Sequence, residues 1–250
     1  AYLMLAEMAE KAKDLPKARE WLDRISNSED MIGVQVRRAG LLARQGQLSE
    51  GRALLQALPE RNAAEIRAKT SAEVQFLREN KQYQSAYDVL QTALAANPQD
   101  LDFVYDKAMM AEKLGRLDEM ESLLRQAIAS KPDYHHAYNA LGYSLADRNV
   151  RLPEARQLIL KALEFAPGDP FISDSLGWVE FRSGNVLEAL RILRQAYKDK
   201  PDAEIAAHLG EVLWTVGERT QAMVVWKEGL ALNAENETLL ETLKRLRVRL

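Results

Sequence analysis

The 250-residue sequence contains no cysteine. Disulfide frameworks, thiol nucleophiles, cysteine-based zinc sites and iron–sulfur ligation are therefore excluded. The compartment is not fixed by this, because a long helical array stands without disulfides. Histidine is scarce as well: only His135, His136 and His208. Adjacent helical residues point about 100° apart, so His135 and His136 do not share a metal, and no spaced carboxylate completes a site. No G-x-S-x-G elbow, phosphate loop or dinucleotide fingerprint is present. Acidic pairs such as Asp118-Glu119 are ordinary on solvated helix faces. No metal, no cofactor and no enzymatic activity are expected. With 34 Lys+Arg against 37 Asp+Glu the formal net charge is −3, so there is no excess of cations for a phosphate backbone and no nucleic-acid partner is expected. No run of 18 apolar residues occurs, which leaves no candidate membrane-spanning helix. The chain opens at Ala1-Tyr2-Leu3-Met4 within a helical pattern and without a basic segment leading into an apolar one. It reads as part of a longer protein, in which any export signal or lipid anchor would lie upstream.

What the sequence has is a period. Four of the eight prolines, Pro98, Pro132, Pro167 and Pro201, follow one another at 34, 35 and 34 residues. Leu-Gly pairs keep step at Leu141-Gly142, Leu176-Gly177 and Leu209-Gly210. Small residues at Ala18, Ala86, Ala155, Ala189 and Ala222 are each followed, about four positions later, by Leu22, Leu90, Ile159, Leu193 and Trp226. Within 101–134, Val104, Ala108 and Ala111, then Leu117, Leu124, Ala127 and Ile128, keep helical spacing. Gly46, Gly115, Gly184 and Gly217 fall between paired helices, where positive φ ends the first of each pair.

These markers together resemble the tetratricopeptide repeat, a 34-residue helix–turn–helix unit. The resemblance covers the whole chain and implies an all-α fold. Seven repeats fall at about 1–31, 32–66, 67–100, 101–134, 135–169, 170–202 and 203–236, stacked as a right-handed superhelix, an α-solenoid. A C-terminal capping helix at 237–250 turns its leucines onto the end of the stack and Lys244, Arg245, Arg247 and Arg249 to water. Glu180 stands where the repeat pattern places a large apolar residue.

The resemblance also implies a site. In this family the second, fifth, ninth and twelfth positions of each unit look into the concave groove. Those positions carry Asp102, Tyr105, Met109 and Glu112; His136, Asn139, Tyr143 and Ala146; Phe171, Asp174, Trp178 and Phe181; and Glu204, Ala207, Glu211 and Trp214. Rigid rings in a wet groove suit polypeptide binding. The expected partner-binding groove is therefore Tyr105, Met109, His136, Asn139, Tyr143, Phe171, Asp174, Trp178, Phe181, Glu211 and Trp214. Removing Trp178 and Trp214 should then weaken partner capture without changing the melting temperature. Units 32–66 and 67–100 present small or polar residues at these positions, among them Gly33, Val36, Ser71 and Gln75, so the main contact surface is expected from about residue 101 onward.

A closer resemblance lies in Tyr138-Asn-Ala-Leu-Gly-Tyr-Ser-Leu-Ala-Asp147, Asp174-Ser-Leu-Gly-Trp178 and Ala206-Ala-His-Leu-Gly-Glu-Val-Leu-Trp214. These segments look like those of Gram-negative outer-membrane repeat lipoproteins that bring a carboxyl-terminal processing protease together with cell-wall hydrolases. The resemblance implies a non-catalytic adaptor in the periplasm, anchored through an upstream lipid site, with the protease and its substrates as protein partners. An assembly scaffold for a cell-envelope or cytoplasmic complex is the alternative.

Overall fold

A computed structural model describes residues 1–28 and 31–250 of the chain. Among the described residues there are fifteen α-helices and no strand. In chain order they are α1 (Tyr2–Lys11), α2 (Leu15–Asp23), α3 (Ile32–Arg44), α4 (Leu48–Gln56), α5 (Ala63–Glu79), α6 (Tyr83–Ala96), α7 (Leu101–Lys113), α8 (Leu117–Ser130), α9 (His135–Asp147), α10 (Leu152–Phe165), α11 (Pro170–Arg182), α12 (Val186–Asp199), α13 (Ala203–Thr215), α14 (Arg219–Leu232) and α15 (Glu237–Leu246). Two compact units divide at Leu123/Leu124, inside α8. The helix α5 begins at Ala63, upstream of residue 67, because Asn62 caps it by accepting from the Glu65 amide at 2.9 Å.

Each tight helix–helix turn is closed in the same way. The positive-φ residues Lys13, Gly46, Lys81, Gly115, Asn149, Gly184 and Gly217 occupy one equivalent position in seven turns. The amide after each reaches back five residues: Arg116 N–H to Ala111 O at 2.8 Å, Gln82 N–H to Leu77 O at 2.8 Å, Glu218 N–H to Leu213 O at 2.9 Å. This bond satisfies a carbonyl that the ended helix leaves orphaned. The four glycines were legible from the sequence; Lys13, Lys81 and Asn149 do the same work under more backbone strain.

In the first unit, Ala6, Ala9, Ala18, Leu22, Val34 and Leu41 form one buried cluster with Leu3, Leu15, Trp21 and Ile25 packed against it. In the second unit Trp226 is fully buried, beside Leu193, Leu209, Leu213, Leu239 and Leu243. Its indole N–H donates to Ala207 O at 3.3 Å. Gly210 admits it, since any Cβ there would collide with the indole. Gly177 and Gly142 play the same part: a Cβ on Gly177 would lie 2.5 Å from Leu193 Cγ, and one on Gly142 would lie 2.6 Å from Ile159 Cγ1. The helix α15 buries Leu239 and Leu243 and leaves Leu240 exposed. No helix among the described residues is long and apolar enough to cross a membrane.

Glu180 departs from the repeat pattern without disturbing the helix. Its buried carboxylate accepts from Arg156 Nε at 2.5 Å and from Asn185 Nδ2 at 2.6 Å, so the charge is paired rather than stranded.

Candidate functional site

The second unit holds a cavity of about 360 Å³ walled by the first helices of successive repeats, α9, α11 and α13, and by α15. Tyr143 and Asp147 come from α9, Trp178 and Arg182 from α11, His208 from α13, and Thr238, Glu241, Thr242 and Arg245 from α15. The Leu-Gly pairs set this wall. By letting the second helix of each repeat pack closely behind, they turn the residue after each glycine to the other side.

Behind the cavity lies a buried polar chain. His208 Nδ1 is 2.8 Å from Asp174 Oδ2 and 3.0 Å from Oδ1, and both residues are buried. The other ring nitrogen, Nε2, is 3.3 Å from Tyr143 Oη. Tyr143 in turn hydrogen-bonds the Glu204 carboxyl. Burial alone would lower the His208 pKa; the charge and hydrogen bond of Asp174, helped by Glu204 and Asp147, outweigh it and raise it above its usual value. Burial pushes the Glu204 carboxyl up, against the pull of His208 and the Tyr143 hydroxyl. When His208 is charged both its nitrogens donate, one to Asp174 and one to Tyr143, and the tyrosine hydroxyl donates onward to Glu204. The chain thus orients Tyr143 and His208 where they line the cavity.

Trp178 stacks on His208 with ring centroids 4.4 Å apart and 22° between planes, and its indole N–H donates to Asp147 Oδ1 at 3.3 Å. The Arg182 guanidinium lies over the same indole at 5.6 Å and donates to Asp147 O at 3.2 Å. Across the cavity Arg245 is ion-paired with the buried carboxylate of Glu211. The Arg245 pKa is held up first by that hydrogen bond.

The expectation that the groove residues are open to water is corrected in three places. Trp178 is only 3% exposed, Asp174 4% and Glu211 4%. Each faces the expected side of its helix, but the next repeat's first helix closes over it: His208 covers Trp178 and Asp174, and Arg245 covers Glu211. Ala146 and Ala207, which share the inward positions, are buried as well. The remaining expected residues are spread out. Tyr143 is half-buried at the cavity wall, and half-buried Phe181 packs on Trp178 at 5.4 Å. Trp214 is half-buried beside Trp226 at 5.7 Å with Arg219 over its face. Phe171 is 45% exposed at the start of α11, and His136 is exposed at the start of α9 against His135. Asn139 is half-buried, and its Oδ1 finds no hydrogen-bond partner. Tyr105 and Met109 lie in the first unit on α7, both half-buried. Burial pushes the Tyr105 hydroxyl up to about 12, with Asp106 and Glu112 adding to it.

Sequence reasoning missed His208, Asp147, Arg182, Thr238, Glu241, Thr242 and Arg245. A signal for several of them existed. His208 stands 34 residues from Asp174, Arg245 34 from Glu211, and Arg182 35 from Asp147. Each pair therefore joins equivalent helices of neighbouring repeats.

Residues 77–142 and 121–170 each match a family described as tetratricopeptide repeat. A TPR repeat-containing protein of Pseudomonas aeruginosa is 39% identical over 211 residues, 84% of this chain and 36% of that protein. The chain thus spans about a third of the length of this relative. Among solved structures, a tetratricopeptide repeat protein from Parabacteroides merdae superposes with a TM-score of 0.71 at 16% identity, covering 99% of this chain and 98% of its own. A thermophilic TPR protein from Thermus thermophilus gives 0.62 at 22% identity, covering 70% of this chain and 96% of its own. Both show the shared fold. With its paired helices, its seven equivalent turns and these matches, the chain is a tetratricopeptide-repeat protein.

Proposed function

We propose that this chain is a non-catalytic adaptor that holds polypeptide partners against the α9–α11–α13–α15 wall of its second unit. The observation that carries the reading is that wall itself. Four helices from successive repeats converge on one cavity, and their aromatic and charged side chains are already locked by Asp174–His208–Tyr143 and Glu211–Arg245. A surface ordered in advance loses little conformational entropy when a partner docks. Tetratricopeptide repeats are generally protein-interaction scaffolds, which supports the class of partner.

The adaptor role is the finer part of the reading. The wording of 138–147, 174–178 and 206–214 supports a periplasmic protein, lipid-anchored at the outer membrane, that delivers cell-wall hydrolases to a carboxyl-terminal processing protease. Binding both on one scaffold raises the local concentration of substrate at the protease. Reconstitution tests this. The purified chain, the protease and a cell-wall hydrolase are combined, and hydrolase degradation is followed with and without the chain. Faster degradation that is lost with Glu241→Lys, an exposed change at the cavity rim, is the expected result. Degradation indifferent to the chain would overturn the adaptor role, and binding of neither protein would overturn the docking wall.

A further inference from the structure

The first unit contains a cavity of about 790 Å³ bounded by α4, α5, α6 and the start of α7. Its origin is legible in the proline register. Counted from the first residue of α6, α8, α10 and α12, Pro98, Pro132, Pro167 and Pro201 each fall at the sixteenth position; counted from the first residue of α4, Pro59 falls at the twelfth. Proline disfavours helix for the residue before it, so α4 stops early. It has 9 residues where α6, α8, α10, α12 and α14 have 14. The second unit shows what is missing. There Tyr197, twelfth in α12, donates its hydroxyl to Glu228, tenth in α14, at 2.9 Å. The tenth residue of α6 is Thr92, and it lines the cavity instead of meeting a helix.

We infer that this cavity is a docking site for a short amphipathic helix of a protein partner, which takes the place of the turns that α4 lacks. Five residues of helix, ~7.5 Å long and about 10 Å across, fill on the order of 600 Å³, the scale of the void. The walls suit the apolar face of such a helix: Ile66, Val89, Ala93 and Phe103 line it, with Ile66 46% exposed at the mouth. The charged rim sets the rest of the partner's chemistry. Arg52 is paired with Glu73 at 2.7 Å and Arg67 with Asp100 at 2.8 Å, whereas the Asp88 carboxylate accepts only the Gln84 amide, at 2.7 Å, and meets no cation among the described residues. The docking helix therefore carries bulky apolar residues at i and i+4 beside a lysine or arginine that reaches Asp88. This inference stands independently of the wall in the second unit.

The test is selection from a displayed library of 14-residue helical peptides on the whole chain, followed by fluorescence polarisation of the enriched peptides. Ala93→Trp fills the cavity and Asp88→Lys reverses the rim charge; circular dichroism and melting confirm that each variant is folded. The inference expects apolar i, i+4 peptides with an adjacent basic residue, bound at least tenfold more weakly by either variant and unchanged by Glu241→Lys. Should Ala93→Trp prove unstable, Asp88→Lys alone decides, because it lies on a solvated helix face. Enriched peptides that bind both variants as well as the parent chain, or no enrichment, would overturn the inference. So would sedimentation showing that Ala93→Trp dissolves a dimer, which assigns the cavity to a second copy of the chain.

Discussion

Trp178 shows how a residue can sit on the correct face and still carry a different role. Position nine of its repeat points to the inner wall, as read from Leu176-Gly177, yet only 3% of it is exposed because His208 from the following repeat lies flat on its ring. Position within a repeat was legible; cover by the neighbouring repeat was not, since it depends on which side chain arrives one period later. The expected effect of removing the ring is accordingly reversed. Trp178→Ala should lower the unfolding free energy by about 3–5 kcal/mol, the usual cost of truncating a buried large aromatic, measured by urea denaturation. A loss below about 1 kcal/mol would mean that the ring is not held as described. His208 carries a second prediction. Its folded pKa is raised, so the native state retains a proton that the unfolded chain releases near pH 6.5. The stabilisation is complete below about 6.5 and is lost as pH rises through the higher folded value. Glu204, also raised, acts in the same direction at lower pH. Melting temperatures of the parent chain and His208→Gln should therefore differ most below pH 6.5 and converge as pH rises. Parallel curves would contradict the Asp174–His208 linkage.

At the scale of the element, one turn geometry recurs with unequal strain. Gly46, Gly115, Gly184 and Gly217 take positive φ at little cost, whereas Lys81 holds φ 56° with a Cβ in the way. Lys81→Gly should stabilise the first unit by about 1 kcal/mol, read from thermal or urea unfolding, and Asn149→Gly by less, because asparagine tolerates this conformation. Helical glycines behave in the opposite sense where two helices touch. Gly210→Ala ought to gain up to about 1 kcal/mol from helix propensity, but its Cβ meets Trp226, so a net loss of about 1–3 kcal/mol is expected. Gly40→Ala in α3 meets nothing within 4 Å and should show the propensity gain alone. If Gly210→Ala matched Gly40→Ala, close helix approach would not be what fixes the glycine. Helix existence was plain from the 34-residue markers, as at Leu141-Gly142 and Pro132. The length of α4 was written in Pro59 but went unread, because that proline lies outside the regular series.

For the molecule as a whole, the repeat brings equivalent positions of successive units together. Tyr143, Trp178, Glu211 and Arg245 all occupy the ninth place of their units, and they mark out one wall in the second unit. The repeat family was legible in the Leu-Gly spacing, and of the residues that line this wall only Tyr143 and Trp178 were. The side chains that lock it were not, since Asp147, His208 and Arg245 become informative only when paired across a period of 31 to 35 residues. The two cavities differ in chemistry: the one in the second unit is lined by aromatic and charged groups, the one in the first unit by Ile66, Val89, Ala93 and Phe103 with ion pairs and Asp88 at its rim. Hydrogen–deuterium exchange of the chain, alone and with the carboxyl-terminal processing protease, tests the central claim most directly. Slowed exchange is expected in α9, α11, α13 and α15, concentrated at 143–147, 178–182 and 238–245. Exchange that is unaltered in those segments while another surface becomes protected would contradict it.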